Sequence, residues 1–117
     1  MDAVELPQEV NERLFELLEI SRSTGKVRKG TNEVTKALEK GEVQLVVVAA
    51  DVQPAEVIMH LPLLAKEKKI PVVQVKSKEE LGVATGLAVP TASVAVADPG
   101  DAKALLAEIT KKIKELA

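Results

Sequence analysis

Between Lys26 and Lys36 the chain reads Lys-Val-Arg-Lys-Gly-Thr-Asn-Glu-Val-Thr-Lys, and no other stretch gathers so many groups able to do chemistry. Lys26, Arg28 and Lys29 are cations, Gly30 follows them, and Thr31 begins a helical pattern whose first turn holds Asn32 and Glu33 side by side. A turn leading into a helix N-terminus offers unpaired backbone N–H groups, which suit phosphate. Asn32, Glu33 and Lys36 add the side-chain donors and acceptors that hydrogen-bond the edges of bases. The stretch therefore reads as an RNA-contact site. The plainer reading is a solvated basic loop, with Glu33 in the first turn because the helix dipole favours an acid there.

The net charge of −2 conceals an asymmetry that bears on this choice. Residues 1–20 carry Asp2, Glu5, Glu9, Glu12, Glu16 and Glu19 against Arg13 alone. Residues 21–36 carry Arg22, Lys26, Arg28, Lys29 and Lys36 against Glu33 alone. An anion responds to the local field, so the second segment outweighs the sum.

Other chemistries find few residues to use. The single histidine, His60, sits in Ile-Met-His-Leu-Pro and reads as structural. With no cysteine there is neither a disulfide framework nor a thiolate metal site, and one histidine completes no metal cluster at recognised spacing, so no cofactor is expected. Neither Gly-x-Gly-x-x-Gly nor a Walker-type Gly-Lys-Ser/Thr is present. Asp51 follows an apolar strand, where open α/β sheets place ligands, and leaves open a small-ligand or nucleotide-binding domain. Phospho-acceptor chemistry there needs further carboxylates at strand ends, and the only such residue, Asp98, reads as a helix cap. Asp51 itself reads as a cap for a helix beginning at Pro54. One phenylalanine and no tyrosine or tryptophan cannot build an aromatic base-stacking platform. RNA binding must then use phosphate, polar base-edge and aliphatic contacts, which favours a structured RNA.

The elements that position these residues follow from periodicity. Pro7 to Ile20 reads as a helix with Val10, Leu14, Leu17 and Leu18 on one face, closed by residues 21–25, and Phe15 reads as core or a packing edge. Lys26 to Arg28 is a short edge strand. The next helix starts near Thr31, turns Val34, Ala37 and Leu38 inward and stops at Gly41. Val43 to Ala50 is a buried strand, Pro54 opens a helix with a break or kink expected at Pro62, and Val72 to Val75 is a second buried strand. Ser77 to Glu80 forms a capping box for a short helix ended by Gly86. Leu87 to Pro90 is a loop, Ser93 to Ala97 a third buried strand, and Asp98 caps a last helix facing the core with Ala102, Leu105, Leu106, Ile109, Ile113 and Leu116. The expected fold is an α/β, three-layer α/β/α sandwich with a small mixed four-stranded sheet, the 117 residues forming one domain. No apolar run reaches the ~18 residues of a membrane span. The acidic first residues do not resemble a signal peptide, so a soluble, cytoplasmic protein is expected.

Five blocks carry a resemblance over nearly the whole chain: Arg28-Lys-Gly-Thr-Asn-Glu-Val-Thr-Lys36, Val47-Val-Ala-Ala-Asp-Val-Gln-Pro54, His60-Leu-Pro-Leu-Leu64, Ser77-Lys78 with Leu81-Gly82, and Gly86-Leu-Ala-Val-Pro90. In this order they resemble the kink-turn-binding ribosomal proteins of the "L-seven-Ae" family, most nearly its archaeal large-subunit type. That resemblance implies a non-catalytic protein that recognises RNA bent at a bulge beside tandem sheared G·A pairs. It implies that Lys26, Arg28 and Lys29 meet phosphates, that Gly30 and Thr31 bring the backbone close, and that Asn32, Glu33 and Lys36 read guanines. It places an extruded nucleotide against Leu87, Ala88, Val89 and Pro90, with Gln53, Val57 and Lys78 around it. The ordinary alternative is that this loop tucks into the core. Relatives of eukaryotic type often carry a polar residue where Val89 stands, and the apolar form resembles archaeal proteins tolerant of kink-loops. The implied partners are kink-turn RNAs of the large ribosomal subunit, box C/D and H/ACA guide RNPs and RNase P, with other RNP proteins docking alongside.

Overall fold

The structure, a computed structural model, describes residues 4–5, 7–52 and 56–116, with side chains from residue 7 onward except at 56–58. The order is β1 (Val4–Glu5), α1 (Gln8–Thr24), β2 (Lys26–Lys29), α2 (Thr31–Lys40), β3 (Leu45–Ala49), α3 (Glu56–Glu67), β4 (Val72–Val75), α4 (Lys78–Ala84), β5 (Ser93–Asp98), a 3₁₀ turn (Gly100–Ala102) and α5 (Lys103–Leu116). The sheet runs β1-β4-β3-β5-β2. Pairs β1/β4 and β3/β4 are parallel, while β3/β5 and β5/β2 are antiparallel. The four expected strands and the mixed sheet are present, and the two-residue β1 is added at one edge. Two residues are too few for any alternation to reveal.

Every residue of β3 is buried, as helices on both faces require. α1 packs against α4 and α5 on one face, while α2 packs against α3 on the other. Leu14, Leu17 and Leu18 of α1, Val34, Ala37 and Leu38 of α2, Leu61 and Ala65 of α3, and Leu106, Ile109 and Ile113 of α5 supply the core. Each fully buried leucine contributes about 1.5–3 kcal/mol over an exposed one. Phe15 packs against this core while partly exposed.

Several boundaries differ from expectation. α1 runs a turn further, to Thr24; within that turn Ser23 and Thr24 donate to the Glu19 and Ile20 carbonyls, and Gly25 caps it. α2, by contrast, ends at Gly41 as expected, where the amides of Gly41 and Glu42 bond the Leu38 and Ala37 carbonyls. Pro62 interrupts nothing: α3 is helical through it, with Pro62 itself buried. Leu116 is exposed, since α5 outruns the body it packs against. Asp98 ends β5, and its carboxylate accepts from Gly100 N at 2.9 Å, opening the 3₁₀ turn that leads into α5.

Candidate nucleic-acid interface

Strand register decides which residues meet. Ala49 pairs with Val75, Val48 with Ser93, and Lys29 with Val94. The exits of β2, β3 and β4 and the entry of β5 therefore share one end of the sheet. Gly30, Asp51, Lys78 and the loop before β5 all follow from that end.

Gly30 joins β2 to α2 with φ 90° and ψ 147°, a conformation costly for any residue with a Cβ. Its N–H donates to Ser93 O at 3.0 Å, and its carbonyl accepts the first helical bond, from Val34 N, at 2.9 Å. No side chain caps α2. The N–H groups ahead of Val34 thus point outward at the positive end of the helix dipole. A Cβ placed on Gly30 would meet nothing within 4 Å, so the space above the turn is open. Asn32, Glu33 and Lys36 are exposed, on the side away from buried Val34, Ala37 and Leu38. Among the described residues neither Glu33 nor Lys36 forms an ion pair. Their hydrogen-bonding atoms remain available to a ligand.

The adjacent face of α2 is fixed. Thr31 Oγ1 and Ser93 Oγ lie 3.1 Å apart, Thr35 Oγ1 donates to the Thr31 carbonyl at 2.7 Å, and His60 Nε2 lies 2.8 Å from Thr35 Oγ1. His60 has the structural role its context suggests: it links α3 to α2.

The loop Leu87–Pro90 does not tuck into the core. Leu87 is half-buried, Ala88 and Pro90 are exposed, and Val89 is 63 % exposed. Its ends are tied down instead. Leu87 N donates to Gly82 O at 2.9 Å and Thr91 N to Lys78 O at 3.2 Å. Gly82 passes directly beneath, where any Cβ would collide with the Val89 carbonyl. Buried Thr91 donates from Oγ1 to Ser93 O at 3.1 Å, the carbonyl that also receives Gly30 N–H. Ser93 therefore ties the aliphatic loop to the start of α2. Sequence reasoning passed over Ser93. Its one signal was a hydroxyl at the head of an otherwise apolar strand.

The remaining candidates divide. Lys78 is half-buried at the start of α4, between the loop and Asp51. The expected cap by Asp51 on a helix at Pro54 falls on residues outside the described ones; Asp51 Oδ1 accepts from Lys78 N at 2.9 Å, while Ser77 Oγ accepts from Glu80 N at 3.2 Å. The N-terminus of α4 thus takes two caps, because the β3 exit brings Asp51 to it. Arg28 and Lys29 are half-buried along β2. Lys26 pairs with Asp98 at the other end of that strand, about 10 Å away at ~3.3 Å per residue. It belongs to a flank, not to the cluster. Gln53 and Pro54 lie outside the described residues, and Val57 lies in α3 with its side chain undescribed. Among the described residues no three His, Cys, Asp or Glu side chains could share a metal ion, and no helix is long and apolar enough to cross a membrane.

Comparison with known proteins agrees with this geometry. The solved structure of a Giardia lamblia 15.5kD RNA binding protein superposes with a TM-score of 0.91 at 32 % identity, covering 96 % of this chain and 93 % of that one. Residues 12–106, most of the chain, from within α1 to the first turn of α5, match the family described as ribosomal protein L7Ae/L30e/S12e/Gadd45. The chain belongs to the L7Ae/L30e/S12e/Gadd45 family of ribosomal proteins.

Proposed function

We propose that the protein is a non-catalytic RNA-binding protein that recognises kink-turn and kink-loop motifs and holds them bent. The observation that carries this reading is the joint at Ser93. It sets an uncapped helix N-terminus bearing Asn32, Glu33 and Lys36 beside an exposed aliphatic loop, Leu87–Pro90. A phosphate site alone has no use for Glu33 or for Val89. A sheared G·A pair engages the guanine sugar edge and leaves its other edges free. Glu33 accepts from guanine N–H groups, and Asn32 and Lys36 donate to O6 and N7. Arg28 and Lys29, with Lys26 on the flank, neutralise phosphates and set register. Thr31 and Gly30 keep the backbone close, and Leu87, Ala88, Val89 and Pro90 receive an unstacked bulge base, with Lys78, Gln53 and Val57 at its edges.

Binding of the bent form in preference to the extended one shifts the RNA population toward the bend. Such a protein would nucleate cytoplasmic RNPs: the large ribosomal subunit, box C/D and H/ACA guide particles, and RNase P. The similarity to an RNA binding protein of Giardia lamblia supports the RNA class. Calorimetric titration with a kink-turn RNA and with a copy lacking the G·A pairs tests the motif. Tight binding to the first alone is expected, and equal binding to both would overturn the kink-turn assignment.

A further inference from the structure

Away from the proposed RNA face, α1 and α4 leave a groove of about 960 Å³ between them. The helical phase of α4 separates the two surfaces. Lys78 and Gly82 face the Leu87–Pro90 loop, buried Leu81 faces the core, and Glu79, Glu80, Val83 and Ala84 line the groove. From α1 come Gln8, Asn11, Glu12, Phe15 and Glu19, one stripe at helical spacing.

Two features give this groove a ligand chemistry. Among the described residues nothing covers its apolar floor: Val83 is 73 % exposed, and Phe15 is only partly buried. Among the described residues its rim carries Glu12, Glu19, Glu79 and Glu80 against a single cation, Lys76. Among the described residues none of those four carboxylates has an ion-pair partner, whereas Glu108 and Glu115 on α5 do.

We infer that this groove docks a basic amphipathic helix of a protein partner, an aliphatic stripe flanked by lysines or arginines. The sign of the rim excludes nucleic acid, which the carboxylates repel. The groove side of α1 from Gln8 to Glu19 is about 18 Å long at ~1.5 Å per residue, which fits about three turns of a docked helix. The occupant's aliphatic residues cover Val83 and Phe15, and its cations reach the rim. The inference is independent of which RNA motif the other face reads.

The test is a titration of the ¹⁵N-labelled full chain with two synthetic helices sharing one leucine stripe, flanked in one by lysine and in the other by glutamate. The lysine helix is expected to shift the Asn11 side-chain amide and the backbone amides of Phe15, Glu80 and Val83. Its affinity should fall at least tenfold in the combined E12Q/E79Q/E80Q variant and severalfold in V83S, and the glutamate helix should not bind. Circular dichroism and kink-turn RNA titration of the same variants should match the parent, which separates loss of docking from loss of fold. Equal binding of both helices, shifts confined to other surfaces, or a V83S variant binding like the parent would overturn the proposal. So would a peptide-free dimer in sedimentation that E12Q/E79Q/E80Q dissolves, since the groove would then serve a second copy.

Discussion

Glu33 decides more than any other residue at the proposed interface. An acid in a first turn gains a few tenths of a kcal/mol from the helix dipole, and that alone could account for it. Its exposure beside Asn32 and Lys36, on a helix with no side-chain cap, gives the acid a further use. Asn32→Ala or Glu33→Ala should each weaken kink-turn binding by about 1–3 kcal/mol, the scale of a good base-edge contact. Calorimetry against the parent RNA checks this, with unchanged thermal stability as the control. Gly30→Ala should behave differently. The open space above Gly30 admits a methyl group, but φ 90° does not suit an L-residue, so folding stability should drop by about 1–3 kcal/mol in urea titration. The motif from Lys26 to Lys36 was legible because its chemistry is contiguous in sequence. The contacts of Ser93 and Asp51 were not legible, for the opposite reason. Ser93 meets Gly30 across 63 positions of chain, and Asp51 caps a helix that begins at Lys78, contacts that only strand register creates.

Elements with a full period of apolar residues came out as the spacing dictates. Val34, Ala37 and Leu38 of α2 are buried, and so are Leu14, Leu17 and Leu18 of α1. What periodicity could not reveal was how elements end and which neighbours they borrow. The extra turn of α1 is polar, with side-chain hydroxyls bonding back to the helix, and so lies outside the apolar period, and Leu116 continues the apolar phase of α5 past the surface that could bury it. The double cap on α4 yields a prediction: Asp51→Ala should lower stability by about 0.5–2 kcal/mol, the usual worth of such a cap. Denaturant midpoints measure it, and a neutral result would mean that Ser77 suffices. At the loop, Val89→Ser should leave stability nearly unchanged because Val89 is exposed, while affinity falls severalfold for a kink-turn with its bulge base present. An abasic bulge should abolish that difference.

For the molecule as a whole, a net charge of −2 would argue against nucleic acid if charge were evenly spread. It is uneven: Lys26, Arg28 and Lys29 sit together on β2 ahead of α2, while Glu12, Glu19, Glu79 and Glu80, without ion-pair partners among the described residues, line the groove between α1 and α4. Long-range attraction and its salt dependence therefore belong to a few residues. Lys29→Ala should reduce the slope of log affinity against log salt by about 1 without altering discrimination between RNAs with and without G·A pairs. The sheet topology adds a consequence for solubility. Of its two edges, β1 has two residues, which leaves β2 as the edge long enough to recruit a strand from another molecule. That edge is Lys-Val-Arg-Lys, with an irregularity in register between Lys26 and Val27, and cations and bulges are what keep exposed edges from pairing. Charge removal at Lys26 and Arg28 would then carry a second effect, on storage. Lys26→Val with Arg28→Val should aggregate measurably faster by light scattering in the absence of RNA, and bound RNA would protect the parent only by covering an edge its own cations already guard.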